Sequence, residues 1–427
     1  MYNNKANRNG WVNEKTLIGT SDVSKYSLTC FVRCPNGYEI KPFKVTNDWA
    51  GIDKFWQLLR ETKIKHQLDE IIVGFESTGC YGEPLIVFMK DKPVKLVQIN
   101  PMHTKRVKEL SDNSPNKTDN KDPVIIADII QLGHYLSMVK PDGAAAELRQ
   151  LTHTRLAQLG YQNGLINQLE SLMFRVWPEF VQIMGTLTGK TARYLIAHYP
   201  QPDKIRKFSL AKLTAKIKRV SRGRMGQDKA GQLLESSKHS LGIRDGLQSA
   251  LIEIKQILKQ LDQIDQFMKV LEQKMAEEIA RIPYSQNLLS IKGLGVVSLG
   301  GIIGELGSFK SYQKQSEVVK MAGLDLYEIS SGLHKGMKRL SHRGRSLLRT
   351  LLFLATLNMV RKDGIFNQDY ERLLARGMIK IKALLVIARK LLRIMFALVR
   401  DGSEYKVGYE NNKPRQKLEA NITRAAG

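Results

Sequence analysis

The feature that most constrains this chain is the order of extended and helical segments in its first third. Residues 16–44 contain three short extended segments, TLIGTSDV, SLTCFVRC and YEIKPFKV, separated by turn-prone Ser, Pro, Asn and Gly. A helix at Trp49–Glu61, a strand at Glu70–Glu76, a helix opening near Tyr81, a strand at Val94–Asn100 and further helices follow. The order β-β-β-α-β-α-β-α predicts an α/β domain in which a meander is continued by parallel strands with crossover helices.

From Ala144 onward the pattern becomes almost entirely helical. Its clearest part is an amphipathic helix over 30 residues long, whose apolar side chains recur at steps of three and four: Leu247, Leu251, Ile254, Leu258, Leu261, Ile264, Met268, Leu271 and Met275. Such a helix is either a coiled-coil spacer or dimerisation arm, or a long helix packed inside one domain. The sequence leaves both interpretations open.

The charge of the chain points to a polyanionic partner. Lys and Arg number 67 against 41 Asp and Glu among 427 residues, so the formal charge is +26. Such an excess favours nucleic acid through phosphate contacts and counterion release; a generally basic surface and an acidic membrane surface are the alternatives. No apolar run reaches the roughly 18 residues of a membrane span, and the N-terminus lacks the apolar core of a signal peptide. We therefore expect a cytoplasmic protein with no membrane partner.

One helical segment concentrates positive charge. Residues 204–224 contain nine basic residues and no acidic one, interleaved with apolar residues. The basic residues are Lys204, Arg206, Lys207, Lys212, Lys216, Lys218, Arg219, Arg222 and Arg224. The pattern suits a nucleic-acid-binding helix or arm that contacts phosphates, with a plain solvated helix face as the alternative.

Four acidic residues occur where strands and a helix could bring them together. Asp22 ends the first strand and Glu76 ends another, while Asp119 and Asp122 lie three apart near the start of a helix. Pro123 is compatible with the first turn of that helix. Converging carboxylates repel one another and are stable mainly as ligands of hard divalent cations such as Mg²⁺. Two such ions about 4 Å apart can hold the attacking and leaving oxygens of a phosphodiester displacement.

A glycine-rich stretch opens the C-terminal region. The sequence LLSIKGLGVVSLGGIIGELGSF has a turn at Gly293 and Gly295 before an apolar helical run. It resembles a helix-hairpin-helix, in which backbone N–H groups and a helix N-terminus bind a DNA phosphate. A glycine-rich helix packed closely on a neighbour is the alternative.

A serine followed by basic residues lies further downstream. The pair Ser330 and Ser331 precedes Gly332, and the next residues include Lys335, Lys338, Arg339, Arg343, Arg345 and Arg349. A serine hydroxyl is a weak nucleophile, so attack on phosphorus needs nearby positive charge to stabilise the developing oxyanionic state. The segment supplies both parts, and we predict that these cations bind nucleic acid.

The segments GTSDVSK, FESTGCYG and KTDNKDPVIIA resemble the carboxylate motifs of the DEDD-type insertion-sequence transposases. The resemblance implies an N-terminal ribonuclease-H-like (RuvC-like) domain whose metal-binding tetrad is Asp22, Glu76, Asp119 and Asp122. The family usually has an apolar residue where this chain has Ser21, and a small helix former where it has Pro123. Neither departure removes a metal ligand.

The segment MAGLDLYEISSGLHKGMKRLSHRGRSLLR resembles the C-terminal serine transposase domain of the same family. The resemblance implies that Ser331 is the nucleophile, with Ser330 as the alternative, and that it forms a transient phosphoserine link to DNA. Leu326 replaces the usual proline and His342 the usual lysine. The resemblance covers roughly residues 16–135 and 283–400.

The family implies an RNA-guided serine recombinase acting on donor and target DNA. Its partners would be an element-encoded noncoding guide RNA and further copies of the chain in a homodimer or homotetramer. The expected organisation is a disordered leader at 1–15, a RuvC-like domain at 16–140, a helical coiled-coil region at 141–282, a transposase domain at 283–400 and a disordered tail at 401–427. A DNA invertase or junction resolvase without an RNA guide, and a non-catalytic nucleic-acid-binding derivative, are the alternative functions.

Overall fold

The structure is a computed structural model that describes residues 11–76, 79–112, 121–137, 141–328, 336 and 338–406. These residues form two units. The first lies within residues 1–140 and also includes Tyr312–Glu317, and the second lies within residues 141–311 and 318–427.

A six-stranded mixed sheet forms the centre of the first unit. Its strands are β1 (Thr16–Val23), β2 (Ser27–Arg33), β3 (Glu39–Thr46), β4 (Glu70–Glu76), β5 (Lys95–Ile99) and β6 (Leu136–Ser137). Their order in the sheet is β3-β2-β1-β4-β5-β6. The first three strands pair antiparallel, β4 and β5 continue parallel to β1, and β6 pairs antiparallel with β5. The predicted meander and parallel strands are confirmed, and β6 is an addition that sequence periodicity does not indicate.

Four helices accompany the sheet: α1 (Trp49–Lys65), α2 (Glu83–Met89), α3 (Pro101–Asp112) and α4 (Asp122–Gln131). Helix α1 begins where the sequence predicts because Asp48 caps its first turn, accepting a hydrogen bond from the backbone N–H of Gly51 at 2.9 Å. The helix continues to Lys65 rather than ending at Glu61.

The two faces of the sheet carry separate apolar cores. One core packs against α1 and α2 and includes Leu17, Val73, Phe75, Phe55 and Leu59. The core on the opposite face packs against α4 and includes Ile18, Ile72, Val97, Ile126 and Ile130. Because successive side chains of a strand point to opposite faces, the cores fix which positions of β1 and β4 face α4. The even-numbered positions of β1 and β4 face α4.

Two helices of 34 residues, α5 (Gly143–Val176) and a later helix (Leu247–Ala280), run antiparallel in the second unit. Arg155 pairs with Glu272 at 3.0 Å, and the Gln162 amide donates to Asp265 at 2.7 Å, so residue numbers rise on one helix as they fall on the other. The long helix predicted from the apolar repeat is thus confirmed, and it is packed within this unit along α5.

Five short helices lie between the two long ones in sequence: α6 (Pro178–Met184), α7 (Lys190–His198), α8 (Pro202–Arg206), α9 (Leu210–Ser221) and α10 (Gln227–Lys238). The helix at Leu247–Ala280 is therefore α11. The short helices pack with one end of each long helix around an apolar core, which includes Trp177, Phe180, Leu195, Leu213 and Leu233. This part of the chain is a small helical bundle, referred to below as the inserted bundle.

The rest of the second unit is helical apart from one hairpin. Its helices are α12 (Ser285–Leu289), α13 (Val296–Leu306), α14 (Gln315–Met321, whose residues up to Glu317 belong to the first unit), α15 (Ser346–Met359), α16 (Asn367–Ala375) and α17 (Lys380–Asp401). The hairpin pairs β7 (Leu326–Tyr327) with β8 (Arg339–Leu340). Beyond α17, the backbone N–H of Tyr405 donates to Ser290 at 2.8 Å. An α/β region followed by a mainly helical region is confirmed.

Candidate active site

Asp22 and Glu76 occupy matching positions on neighbouring strands. Strands β1 and β4 pair in parallel with Ser21 opposite Phe75, so the two acids take the next position on each strand. Both are even-numbered and therefore lie on the face that packs against α4. Both side chains are half-buried, which leaves their oxygens within reach of solvent and of a ligand.

Asp122 is brought to the same face by the start of α4. The hydroxyl of Thr20 on β1 donates to the backbone oxygen of Pro123 at 2.6 Å, which fastens the first turn of α4 over β1. Pro123 lies within that first turn, as predicted. Asp122 is only 6% exposed. Three of the four predicted acids therefore share one face of the sheet.

Ser21, a departure from the family pattern, is accommodated by a polar contact on the other face. It is fully buried and hydrogen-bonds the side chain of Cys30, its partner across the β1–β2 pair. Burial raises the pKa of the Cys30 thiol to about 12, although the Ser21 hydrogen bond acts in the opposite direction. The thiol stays protonated at neutral pH, and Ser21 lies on the face of β1 opposite to Asp22.

The three acids supply the oxygen ligands that Mg²⁺ prefers. Asp119, the fourth predicted ligand, lies outside the described residues. Within the described part of the chain, no group of three or more His, Cys, Asp and Glu side chains is arranged to hold a metal ion. The donor chemistry of this face fits a hard divalent cation, whereas the described acids alone do not make a closed ligand set.

The predicted nucleophile belongs to the loop of the β7–β8 hairpin. Leu326 pairs with Leu340 and Tyr327 with Arg339, so residues 328–338, here called the serine loop, connect the two strands. Ser331, Ser330 and Lys335 lie outside the described residues. A hairpin with such short strands was not predicted from the sequence. It brings both ends of the serine loop together.

The predicted cations near the serine divide into two groups. Lys338, Arg339 and Arg343 are exposed around the hairpin. The other two contact backbone oxygens of the protein itself: Arg349 donates to Ala322 at 3.0 Å, and Arg345 donates to Glu305. The first group is exposed to solvent, whereas the second group makes contacts within the protein.

The glycine-rich stretch combines a turn with a closely packed helix. Gly293 has a φ of +97°, a backbone conformation that favours glycine, and Gly295 precedes the first turn of α13. Lys292 and both glycines line a cleft of about 600 Å³. In contrast, a Cβ added to Gly304 would lie 2.6 Å from the backbone nitrogen of Arg149 on α5. The phosphate contact of the turn stays a prediction. The close packing that was its alternative is found in the helix that follows.

The basic segment lies on the inserted bundle. Helix α9 buries Leu213 and Ile217, and its cations project from the other faces. The exposed cations of the segment are Lys204, Arg206, Lys207, Lys212, Lys218, Arg219, Arg222 and Arg224. Lys216 is half-buried, with its ammonium 5.6 Å from the ring centre of Phe208. The arrangement is a basic surface, made of these exposed cations, on a folded bundle.

Glu305 is a charged residue that sequence reasoning missed. It lies on α13, is only 3% exposed, and pairs with cations from two other parts of the second unit. The sequence did contain a signal for it, since Glu305 is a single acid inside an apolar, glycine-rich run. An acid that such a run buries needs cationic partners from elsewhere in the chain.

Two family models match separate parts of the chain. Residues 20–178 match a DEDD transposase model of the IS110 type, and residues 285–371 match the transposase model of the IS116/IS110/IS902 family. Together they cover more than half of the chain and include every predicted carboxylate and the serine. The chain belongs to the IS110 family of DEDD transposases. It is therefore a DNA transposase.

Proteins of several insertion elements are similar to this transposase over most of their length. The 42 kDa protein of IS900 from Mycobacterium paratuberculosis is 26% identical over 390 residues, which is 90% of this chain and 96% of that protein. The 43.6 kDa protein of IS110 from Streptomyces coelicolor is 23% identical, covering 81% of this chain and 85% of that protein. The 44.8 kDa protein of IS116 from Streptomyces clavuligerus is 22% identical over 84% and 88%.

Across the described ranges, none of the helices of the transposase combines the length and the apolar character needed to cross a bilayer.

Proposed function

We propose that this transposase cuts and rejoins DNA through a transient phosphoserine formed by Ser331, with Asp22, Glu76, Asp119 and Asp122 as ligands of Mg²⁺. The observation that carries the proposal is the placement of three of these acids on one sheet face, although they come from segments far apart in sequence. Nothing in the packing of an apolar core requires acids there, so their common placement is best explained by a shared ligand.

The sheet supports a ribonuclease-H-like assignment for the first unit. Three antiparallel strands followed by two parallel ones, in the order β3-β2-β1-β4-β5, match the topology that the family resemblance implies. In that assignment the ends of β1 and β4 and the start of α4 carry the catalytic acids. Bound Mg²⁺ would supply positive charge to the phosphodiester oxygens.

The serine step exchanges one ester bond for another. The Ser331 oxygen attacks phosphorus and loses its proton, the new Ser–O–P bond forms, and the bond from phosphorus to a deoxyribose oxygen breaks, with that oxygen taking up a proton. Attack by a hydroxyl of a second DNA strand reverses these changes and releases the serine. Exposed Lys338, Arg339 and Arg343 are placed on the hairpin to stabilise the charge that develops on the phosphoryl oxygens.

Nucleic-acid binding is assigned to two further surfaces. The basic surface of the inserted bundle would hold an element-encoded guide RNA, because residues 204–224 supply cations without an acidic residue among them on a folded, apolar-cored support. The turn at Gly293 and Gly295 would contact a DNA phosphate in the manner of a helix-hairpin-helix. Helices α5 and α11 would form the coiled-coil arm of a homodimer or homotetramer.

The proposal is tested with purified protein, supercoiled donor DNA carrying the element ends, and target DNA. Reactions contain either Mg²⁺ or EDTA, and either RNA transcribed from the element or an unrelated RNA of equal length. We expect joined DNA only with Mg²⁺ and the element's own RNA. Joining with EDTA would contradict the metal role, and joining without any RNA would favour a DNA invertase or resolvase that acts on fixed sites.

A further inference from the structure

Glu305 is a buried carboxylate in the second unit with three partly exposed basic partners. Its side chain is 4% exposed, and its Oε1 lies 3.0 Å from His153 Nε2 and 3.7 Å from Arg149 Nε, both on α5. Its Oε2 lies 3.8 Å from Arg345 Nη1. A buried carboxylate is costly unless it is paired, so this cluster has a specific structural purpose.

Arg345 connects the cluster to the serine loop. Its guanidinium also donates to the backbone oxygen of Glu305, and its own backbone N–H donates to Met321 at 2.7 Å. Arg345 immediately precedes α15, so it stands where the chain leaves β8 and turns into a helix. Through this residue α13 is tied to the end of the segment that carries β8.

Main-chain hydrogen bonds join the two segments that flank the serine loop. These segments, residues 321–327 and 339–345, are called the stem. Besides the β7–β8 pairs, Ser341 N–H donates to Asp325 at 2.9 Å and His342 N–H donates to Gly323 at 3.1 Å. A Cβ added to Gly344 would lie 2.4 Å from the Gly323 nitrogen, so the two segments touch backbone to backbone. The stem is joined along its length and ends at Arg345.

We propose that Glu305 is a positioning residue that orients the serine loop by anchoring the stem through Arg345. The inference rests on the proposed function, in which Ser331 attacks DNA. The anchored Arg345 can move only with α13 and α5, so the stem keeps one direction relative to these helices. A misplacement of a reacting group by about 1 Å can lower a rate by about 100-fold.

The carboxylate of Glu305 contributes to the anchor separately from the backbone oxygen of the same residue, to which Arg345 also donates. If only the backbone oxygen of Glu305 held Arg345, a carboxamide at position 305 would change nothing. The carboxylate also forms ion pairs with Arg345 at 3.8 Å and with Arg149 at 3.7 Å, which a carboxamide cannot form. Glu305→Gln therefore keeps the shape of the side chain and the bond from Arg345 to the backbone oxygen, and removes only the ion-pair part of the anchor.

Two measurements on the full-length protein test the proposal. Amide hydrogen exchange is followed by mass spectrometry in Glu305→Gln, Arg345→Lys and the parent protein, and the rate of covalent adduct formation is measured with a duplex carrying the element end. We expect exchange in the stem to be about tenfold faster in Glu305→Gln. Adduct formation should be about 10- to 100-fold slower while DNA affinity is unchanged. Arg345→Lys should show a smaller change in the same direction.

Asp265→Asn is the matched control. Asp265 pairs α11 with α5 through Gln162 at 2.7 Å but does not contact the stem, so this variant should change neither measurement. Unchanged stem exchange in Glu305→Gln would overturn the proposal whatever the activity. Faster exchange throughout the second unit in both variants would show a general structural role and would also overturn it. If exchange is faster only in the stem of Glu305→Gln but even the parent protein forms no adduct, the anchor would be supported and the serine chemistry contradicted.

Discussion

The carboxylate face of the first unit and the serine hairpin of the second are built in opposite ways. Asp22 and Glu76 stand on strands whose register is fixed by apolar cores on both sides of the sheet. The serine loop is carried by strands of two residues each, held by main-chain hydrogen bonds and by Arg345 and Arg349. One region is positioned by packing and the other by polar contacts.

The difference predicts how substitutions affect each region. An acid on a packed sheet can be neutralised without moving the backbone, because the apolar residues around it keep their contacts. A hairpin held by polar contacts can be displaced by changes several residues away from the serine. Substitutions on the sheet face should therefore alter the chemistry alone, whereas substitutions around the hairpin should alter geometry first and chemistry as a result.

The largest effect is expected on the sheet face. Asp22→Asn preserves size and removes a ligand charge, so strand transfer at saturating Mg²⁺ should fall by about 100- to 1,000-fold, with the thermal unfolding midpoint unchanged. Asp69→Asn is the control, because Asp69 is exposed and pairs with Lys15. A wild-type rate for Asp22→Asn in a gel-based joining assay would remove Asp22 from the catalytic set.

A smaller effect, accompanied by a structural change, is expected at the base of the hairpin. Gly344→Ala would place a Cβ 2.5 Å from the backbone oxygen of Met321 and force the stem apart. We expect a loss of about 1–3 kcal/mol in the free energy of unfolding, measured by chemical denaturation, together with slower joining. Gly160→Ala on α5 adds a Cβ in open space and is the control. Normal joining by Gly344→Ala would break the contrast between the two regions.

The smallest effect per substitution is expected on the inserted bundle, to which we assign nucleic-acid binding rather than chemistry or serine positioning. Replacing Lys212, Lys218 and Arg219 with Gln should weaken nucleic-acid binding and reduce the slope of log K against log salt by about 0.7–0.9 for each lost phosphate contact. The joining rate of fully bound DNA should not change. The triple variant Lys255, Lys259 and Lys269 to Gln, on exposed positions of α11, is the control. Equal slopes for both triple variants would exclude a specific role for the bundle.

The sequence predicted the first unit well because its strands and helices are long enough to show periodicity. The strand Glu70–Glu76 was placed without error, since its apolar run is bounded by charged residues. The hairpin was missed, because strands of two residues have no period to detect. The three-way division of the remaining chain and the roles of the site residues stay predictions.

The cations near the serine show a second limit of the sequence. A run of basic residues does not reveal which members turn inward: Arg345 donates to a backbone oxygen 40 positions away, and Arg349 to one 27 positions away. Glu305 was missed for the same reason, since its partners Arg149 and His153 are far away in the chain. Long-range polar contacts depend on tertiary packing that no local pattern encodes.

Identification of the residue that bonds to DNA tests the serine chemistry most directly. The transposase is incubated with a nicked duplex that traps covalent adducts, and the modified peptide is sequenced by mass spectrometry for the parent, Ser331→Ala and Ser330→Ala proteins. We expect a phosphodiester on Ser331, no adduct in Ser331→Ala, and an adduct in Ser330→Ala. An adduct on Ser330 or Tyr327, or one that persists in Ser331→Ala, would contradict the assignment.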